Sequence, residues 1–221
     1  MDSVSYGGTS YLVTSIGNNA FTISEYYDYY NHSRSYSGWH VTSIYFPKYI
    51  RAIHDDAFLG CSYVNKIIWN VQHYNLYSFN FGRNQLYNSF DTIVIGEDVV
   101  TVPTFRYRKY TDETSRYTYP KTLIFNARNA TERHYDPTER NPSYYWFGLD
   151  SINKCILGPE VTALPNHFLE EAFNIDTIVL LNIVKYIGDS AFKDCLNTTI
   201  LLPTLDSLEY VGSAAFKDCN N

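Results

Sequence analysis

The sequence predicts a repeat solenoid with a parallel β-sheet along one face and turns with short helical segments along the other. Three observations carry this reading. The first is a phrase that occurs three times: Ile53–Cys61 is IHDDAFLGC, Ile187–Cys195 is IGDSAFKDC and Val211–Cys219 is VGSAAFKDC, with a looser IGNNAF at Ile16–Phe21. The second is a period, since Phe168, Phe192 and Phe216 recur every 24 residues. The third is a set of short β-rich runs spaced between these phrases. A fixed period in the 20s marks stacked units, each too small to bury its own apolar face. The whole chain, 1–221, reads as a single array of seven to eight coils.

Taken in order, the strand runs are SIYF at Ser43–Phe46, KIIW at Lys66–Trp69, TIVI at Thr92–Ile95 and TLIF at Thr122–Phe125. KCIL at Lys154–Leu157, TIVL at Thr177–Leu180 and TILL at Thr199–Leu202 follow. Their β-branched and aromatic make-up, bounded by Pro, Gly or Asn, is that of strands. Stacked in register, they predict one long parallel sheet. After each strand comes a turn, punctuated by Pro47, Gly96 or Gly158-Pro159, and then an apolar run ending in the aromatic phrase. Asp189 or Ser190 is placed to cap a short helical turn carrying Ala191, Phe192 and Cys195. The expected core comprises Phe21, Phe58, Phe105, Phe168, Phe192 and Phe216 together with Cys61, Cys195 and Cys219. Those three cysteines share one repeat position, which suits small buried thiols; a bridge between Cys195 and Cys219, on adjacent coils, is the alternative.

These residues resemble the BspA-like leucine-rich repeats, whose units run I-x-x-I-x-x-P-x-x-V-x-x-I-G-x-x-A-F-x-x-C. Ser43–Cys61 and Thr177–Cys219 carry the resemblance closely. Thr92–Phe105 and Cys155–Phe168 depart from it, with VPTF and LPNHF in place of the usual phrase, and no such phrase follows Thr122–Phe125. The resemblance implies a right-handed leucine-rich-repeat-like superhelix. It also implies a protein of the cell surface or extracellular space, adhering to host proteins or other cells. The chain ends at Asn221 directly after a complete phrase, so it is expected to be a piece of a longer protein. The absence of a leader therefore leaves the compartment open, a cytoplasmic scaffold included.

Where the period stretches, the extra residues must leave the coil. They fall near 24–40 (SEYYDYYNHSRSYSGWH), 106–119 (RYRKYTDETSRYTY) and 127–147 (ARNATERHYDPTERNPSYYWF). Insertions in solenoids map to loops on one face, often the binding face, and Tyr, Trp, Arg, Ser and Asn are what recognition loops favour. The candidate partner-binding residues are Tyr26, Tyr27, Tyr29, Tyr30, Trp39, Tyr107, Arg108, Tyr110, Tyr144, Tyr145 and Trp146. The plainer reading is that these side chains cover the edge of the core. A protein partner is the leading expectation, engaged by the strand face and these loops. Carbohydrate is the second, because exposed Tyr and Trp stack on sugar rings.

Other functions are argued against by composition and spacing. Net charge is −6, which draws the chain to no nucleic acid. Eight basic and five acidic residues between Thr101 and Phe147 make that stretch +3, leaving −9 elsewhere, and the interleaved acids weaken a nucleic-acid reading. No run approaches the ~18 apolar residues of a membrane-spanning helix. His32, His40, His54, His73, His134 and His167 follow no metal-ligand spacing, and no C-x-x-C pair is present. His134 and Asp136, near Glu132 and Glu139, form the best polar cluster but lie on a loop. Glu170 and Glu171 are neighbours expected to diverge. The reading is therefore of a non-enzyme with no metal and no cofactor. Asn31, Asn129 and Asn197 begin N-x-[ST] triplets, which matter only in a eukaryotic secretory route.

Overall fold

A computed structural model describes residues 3–38, 40–54, 56–58, 60–61, 64–73, 79–80, 91–102, 105–106, 121–130, 132–133, 152–201, 204 and 206–219. Every strand run expected from sequence forms a strand, the last two closing slightly early, at Thr177–Val179 and Thr199–Leu201. The first five lie side by side in one parallel sheet, in the order Lys154–Leu157, Thr122–Phe125, Thr92–Ile95, Lys66–Trp69, Ser43–Phe46. Residues pair one for one, so that Phe46, Trp69, Ile95, Phe125 and Leu157 occupy one rung line. Side chains alternate across a strand. The second and fourth positions point inward, and Ile67, Trp69, Ile93, Ile95, Leu123 and Phe125 are fully buried.

The sheet is not continuous as expected. Thr177–Val179 and Thr199–Leu201 form a separate two-stranded ladder. The break follows Lys154–Leu157, whose inward residues Cys155 and Leu157 are partly buried against the core. A second parallel ladder runs through the I-G positions, joining Ser15–Ile16 to Ala52–Ile53 and, further on, Ala163–Leu164 to Tyr186–Ile187 to Tyr210–Val211.

The aromatic phrases form no helix in the described residues, which corrects the expected helical turn. Ser190 and Asp194 both take positive φ (53° and 59°), and a left-handed residue every fourth position breaks an α-helix. The result is a chain of tight turns. Ala191, Lys193 and Cys195 donate their N–H groups to the carbonyls three residues earlier, while Ser190, Phe192 and Asp194 donate to Ser213, Ala215 and Lys217 of the next coil. This backbone is therefore satisfied partly between coils, as a third ladder.

Register also revises the 24-residue spacing. Leu164 pairs with Ile187, so Phe168 lies opposite Ala191, and Leu169 holds the place of Phe192. Ring geometry follows: Phe192 and Phe216 stack at 5.4 Å and 13°, whereas Phe168 meets Phe192 edge-on at 6.1 Å and 89°. Phe21 likewise stacks on Phe58 at 4.8 Å. Phe58, Phe168, Phe192, Cys61 and Cys195 are buried, and Phe21, Phe216 and Cys219 are packed in part against the same core. Phe105–Arg106 forms a short parallel strand paired with Phe79–Asn80.

All four cysteines are free thiols. Cys195 donates to the carbonyl of Leu169 at 3.0 Å and Cys219 to that of Phe192 at 2.8 Å, each reaching back to the phrase of the preceding coil. Cys61 makes the same contact with Phe21 at 3.6 Å. Burial pushes the Cys195 thiol up to about 12, keeping it in the neutral, donating form.

Two hairpins depart from the coil. The insertion near 24–40 is an antiparallel hairpin, Thr22–Asp28 with Ser33–Gly38. Ser3–Tyr6 and Thr9–Leu12 form another, turned by Gly7-Gly8 with both residues at positive φ. Sequence reading passed over this one, although two glycines between short strands are a strong hairpin signal.

Candidate functional site

The third residue of each strand is apolar as well as the second and fourth. Those third residues point away from the core. Pairing brings Tyr45, Ile68, Val94, Ile124 and Ile156 into one row across the outer face of the sheet, about 19 Å long at ladder spacing. Tyr45 and Ile156 are 45% and 39% exposed, and the three between are half-buried. Val179 and Leu201 form the same pair in the second sheet, 52% and 48% exposed. Beside this row runs a polar one: Ser43, Lys66, Thr92, Thr122 and Lys154.

The turns after the strands border the row with charge. Pro47–Ile50, Gly96–Val99 and Gly158–Val161 close through a bond from the fourth N–H to the first carbonyl. They hold Lys48, Glu97, Asp98 and Glu160 at the sheet's carboxyl end. Lys48 lies 3.3 Å from Asp98, and Arg128 lies 2.7 Å from Asp98 and 3.6 Å from both Glu97 and Glu160. Lys48, by hydrogen bond and charge, and then Arg128 hold the Asp98 carboxyl below the usual range. Each pair is exposed and adds little stability singly, so the rail chiefly sets a charge pattern. Between rail and row lies a groove of about 400 Å³, lined by Tyr45, Ile68, Val94, Lys48, Asn70 and Asp98 among others. Gly96 leaves room here for the Asn70 side chain: a Cβ on it would lie 1.7 Å from Asn70 Oδ1, so the amide would have to move.

Of the sequence-chosen residues, the structure brings Tyr26, Tyr27, Tyr29 and Tyr30 together on the 22–38 hairpin. Asp28 shapes its tip by accepting from the Tyr30 and Asn31 N–H groups at 2.9 Å and 3.3 Å and from the Asn31 amide at 2.8 Å. Tyr27 and Tyr29 meet edge to face at 4.8 Å. Tyr26, Tyr29 and Tyr30 are 67%, 79% and 97% exposed. The hairpin base is pinned to the array where Gly38 donates to Gly60 at 3.1 Å. Trp39, Tyr107, Arg108, Tyr110, Tyr144, Tyr145 and Trp146 lie outside the described residues, as does most of the 106–119 and 127–147 insertions.

Glu170 and Glu171 do not diverge as expected. The positive φ of Glu171 (61°) turns the chain so that Glu170, Glu171 and Asp194 each bring a carboxylate oxygen within 4.8 Å of the others. Lys193 occupies the cluster, 2.8 Å from Glu170 and 3.2 Å from Asp194, and Glu170 also contacts His167 Nδ1. Burial, with the Asp194 charge added, raises the Glu171 carboxyl above its ordinary value.

The apolar row was the feature sequence reasoning missed. Its signal was present in S-I-Y-F, K-I-I-W, T-I-V-I, T-L-I-F and K-C-I-L, where apolar residues occupy both parities. Parallel sheets read this way when both faces are covered. Among the described residues, no helix is long and apolar enough to cross a membrane.

A family model described as the BspA type leucine rich repeat region matches in six copies over residues 9–102, 29–124 and 124–221. Among solved structures, the chain is similar to a leucine-rich repeat protein from Bacteroides ovatus, at 16% identity with a TM-score of 0.41. The match covers 80% of this chain and 58% of that one, so this chain spans little more than half the length of its structural relative. None of the curated proteins matches. With the family model matching from Thr9 to Asn221 over the strand runs and turn phrases, this chain belongs to the BspA-type leucine-rich repeat family.

Proposed function

We propose that this chain is a non-catalytic protein-interaction module, displayed at a cell surface or secreted, that adheres to host proteins or other cells. The observation that carries the reading is the outward row Tyr45, Ile68, Val94, Ile124 and Ile156. A parallel sheet with apolar side chains on both faces is ordinarily covered on both. Contiguous exposed apolar surface rimmed by polar groups marks interaction sites. The polar row, the charge rail and the groove supply that rim. The tyrosine hairpin adds aromatic contact area at low entropy cost. Trp39, Tyr107, Arg108, Tyr110, Tyr144, Tyr145 and Trp146 extend the same proposal to the other insertions. The second reading is carbohydrate binding, favoured by the exposure of Tyr29 and Tyr30.

A panel of extracellular host proteins set against a glycan panel separates the two readings. A protein ligand is expected, and Val94→Lys is expected to weaken it about tenfold or more by placing a charge in the apolar row. A protein ligand bound equally by Val94→Lys and by Tyr29→Ala/Tyr30→Ala overturns the assigned surface. Capture by glycans alone overturns the protein reading.

A further inference from the structure

A pocket of about 370 Å³ opens between the turn Pro47–Arg51 and the segment 71–73 of the next coil. Its lining is Lys48, Tyr49, Ile50, Arg51, Gln72 and His73. In a chain of net charge −6, this lining holds two cations and no carboxylate; Lys48 shares its charge with Asp98 at 3.3 Å, so Arg51 is the principal anion-binding group. We propose that this pocket binds an anionic saccharide, a sugar ring carrying a sulfate or carboxylate.

The frame is rigid because its backbone belongs to the inter-coil ladder. Arg51 donates its N–H to Thr14 at 2.7 Å, Gln72 donates to Lys48 at 3.2 Å, and Val100 donates to Gln72 at 3.0 Å. Binding groups set on such a frame lose little freedom on engaging a ligand. Ile50, fully buried, forms the floor. Tyr49, 45% exposed, offers a flat apolar wall for the C–H face of a sugar. Arg51 is exposed, and its forked donors match a sulfate or carboxylate in two parallel bonds. Lys48 is oriented by Asp98 at 3.3 Å and retains further N–H donors. The Gln72 amide and the His73 ring add neutral polar groups of the kind that read sugar hydroxyls. The volume is at the small end of ligand pockets and suits one or two rings rather than an extended chain. An acidic peptide would satisfy the cations but leave the aromatic wall and neutral donors without a matching partner.

The test is calorimetric titration of the whole chain near physiological ionic strength. Four probes are used: a heparin-derived tetrasaccharide, a hyaluronan tetrasaccharide, a neutral chitin tetrasaccharide and a polyglutamate peptide. The first bears sulfate and carboxylate and the second carboxylate alone, so they identify which anion is read. Binding of either is expected, weakening as salt rises. Arg51→Ala and Tyr49→Ala are each expected to weaken it about tenfold, with Arg51→Lys intermediate and Lys185→Ala without effect. Unchanged circular dichroism for each variant separates lost binding from lost folding. Failure of both anionic sugars to bind overturns the proposal. So does equal binding of the neutral sugar or the peptide, or an Arg51→Ala variant that binds as the parent does.

Discussion

Phe192 shows what a single residue does in a stack. Its ring is fully buried, lies face to face with Phe216 and edge-on to Phe168, so it contributes to the packing of three coils. Phe192→Ala is expected to lower stability by about 3–5 kcal/mol, read from the denaturation midpoint. Glu171 acts in the opposite sense. Its carboxyl is raised by burial and by Asp194, so the folded state favours the protonated form and stability falls as pH rises above about 4.5, the ordinary glutamate value. Glu171→Gln is expected to raise the melting temperature at neutral pH, with the gain vanishing in acid below that value; an unchanged melting temperature at pH 7 would count against it. The buried phenylalanines and thiols were legible from sequence because repetition marks them. The convergence of Glu170, Glu171 and Asp194 was not, because it depends on a left-handed backbone at Glu171 that no residue type there demands.

At the scale of elements, the strands were readable and the turns were misread. SIYF, KIIW, TIVI and TLIF carry their conformation in β-branched and aromatic composition. In G-D-S-A-F-K-D-C the capping residues looked like a helix start, yet the N–H groups of Ser190, Phe192 and Asp194 are taken by the next coil. Tertiary bonding overrode local propensity there. The tyrosine hairpin depends on its base. Gly60 has φ of 88°, and a Cβ on it would lie 2.6 Å from Gly38 N. Gly60→Ala is expected to cost more than about 1 kcal/mol and to shift the amide resonances of Gly38 and its neighbours in an NMR spectrum. A variant with parental stability and spectrum would show that the hairpin base is not pinned.

For the whole molecule, the backbone ladders join each coil only to its neighbours, so protection should vary along the stack rather than be uniform. Amides of Lys66–Trp69, Thr92–Ile95 and Thr122–Phe125 have a parallel strand on both sides, while Thr177–Val179 and Thr199–Leu201 each have one. Native-state hydrogen exchange is expected to be slowest in the first group. Uniform exchange across all five strands would mean that the array opens as one unit. Period, strand positions and the aromatic core of this protein follow from sequence alone, since repetition and side-chain type act locally and declare themselves in a linear string. Which residues share the outer face, where the sheet breaks, that Leu169 stands in the place of Phe192, and which side chains surround the pocket at Arg51 were decided only by the tertiary structure. These depend on register between coils, and register is a relation between residues some 20 to 40 positions apart that no single segment encodes.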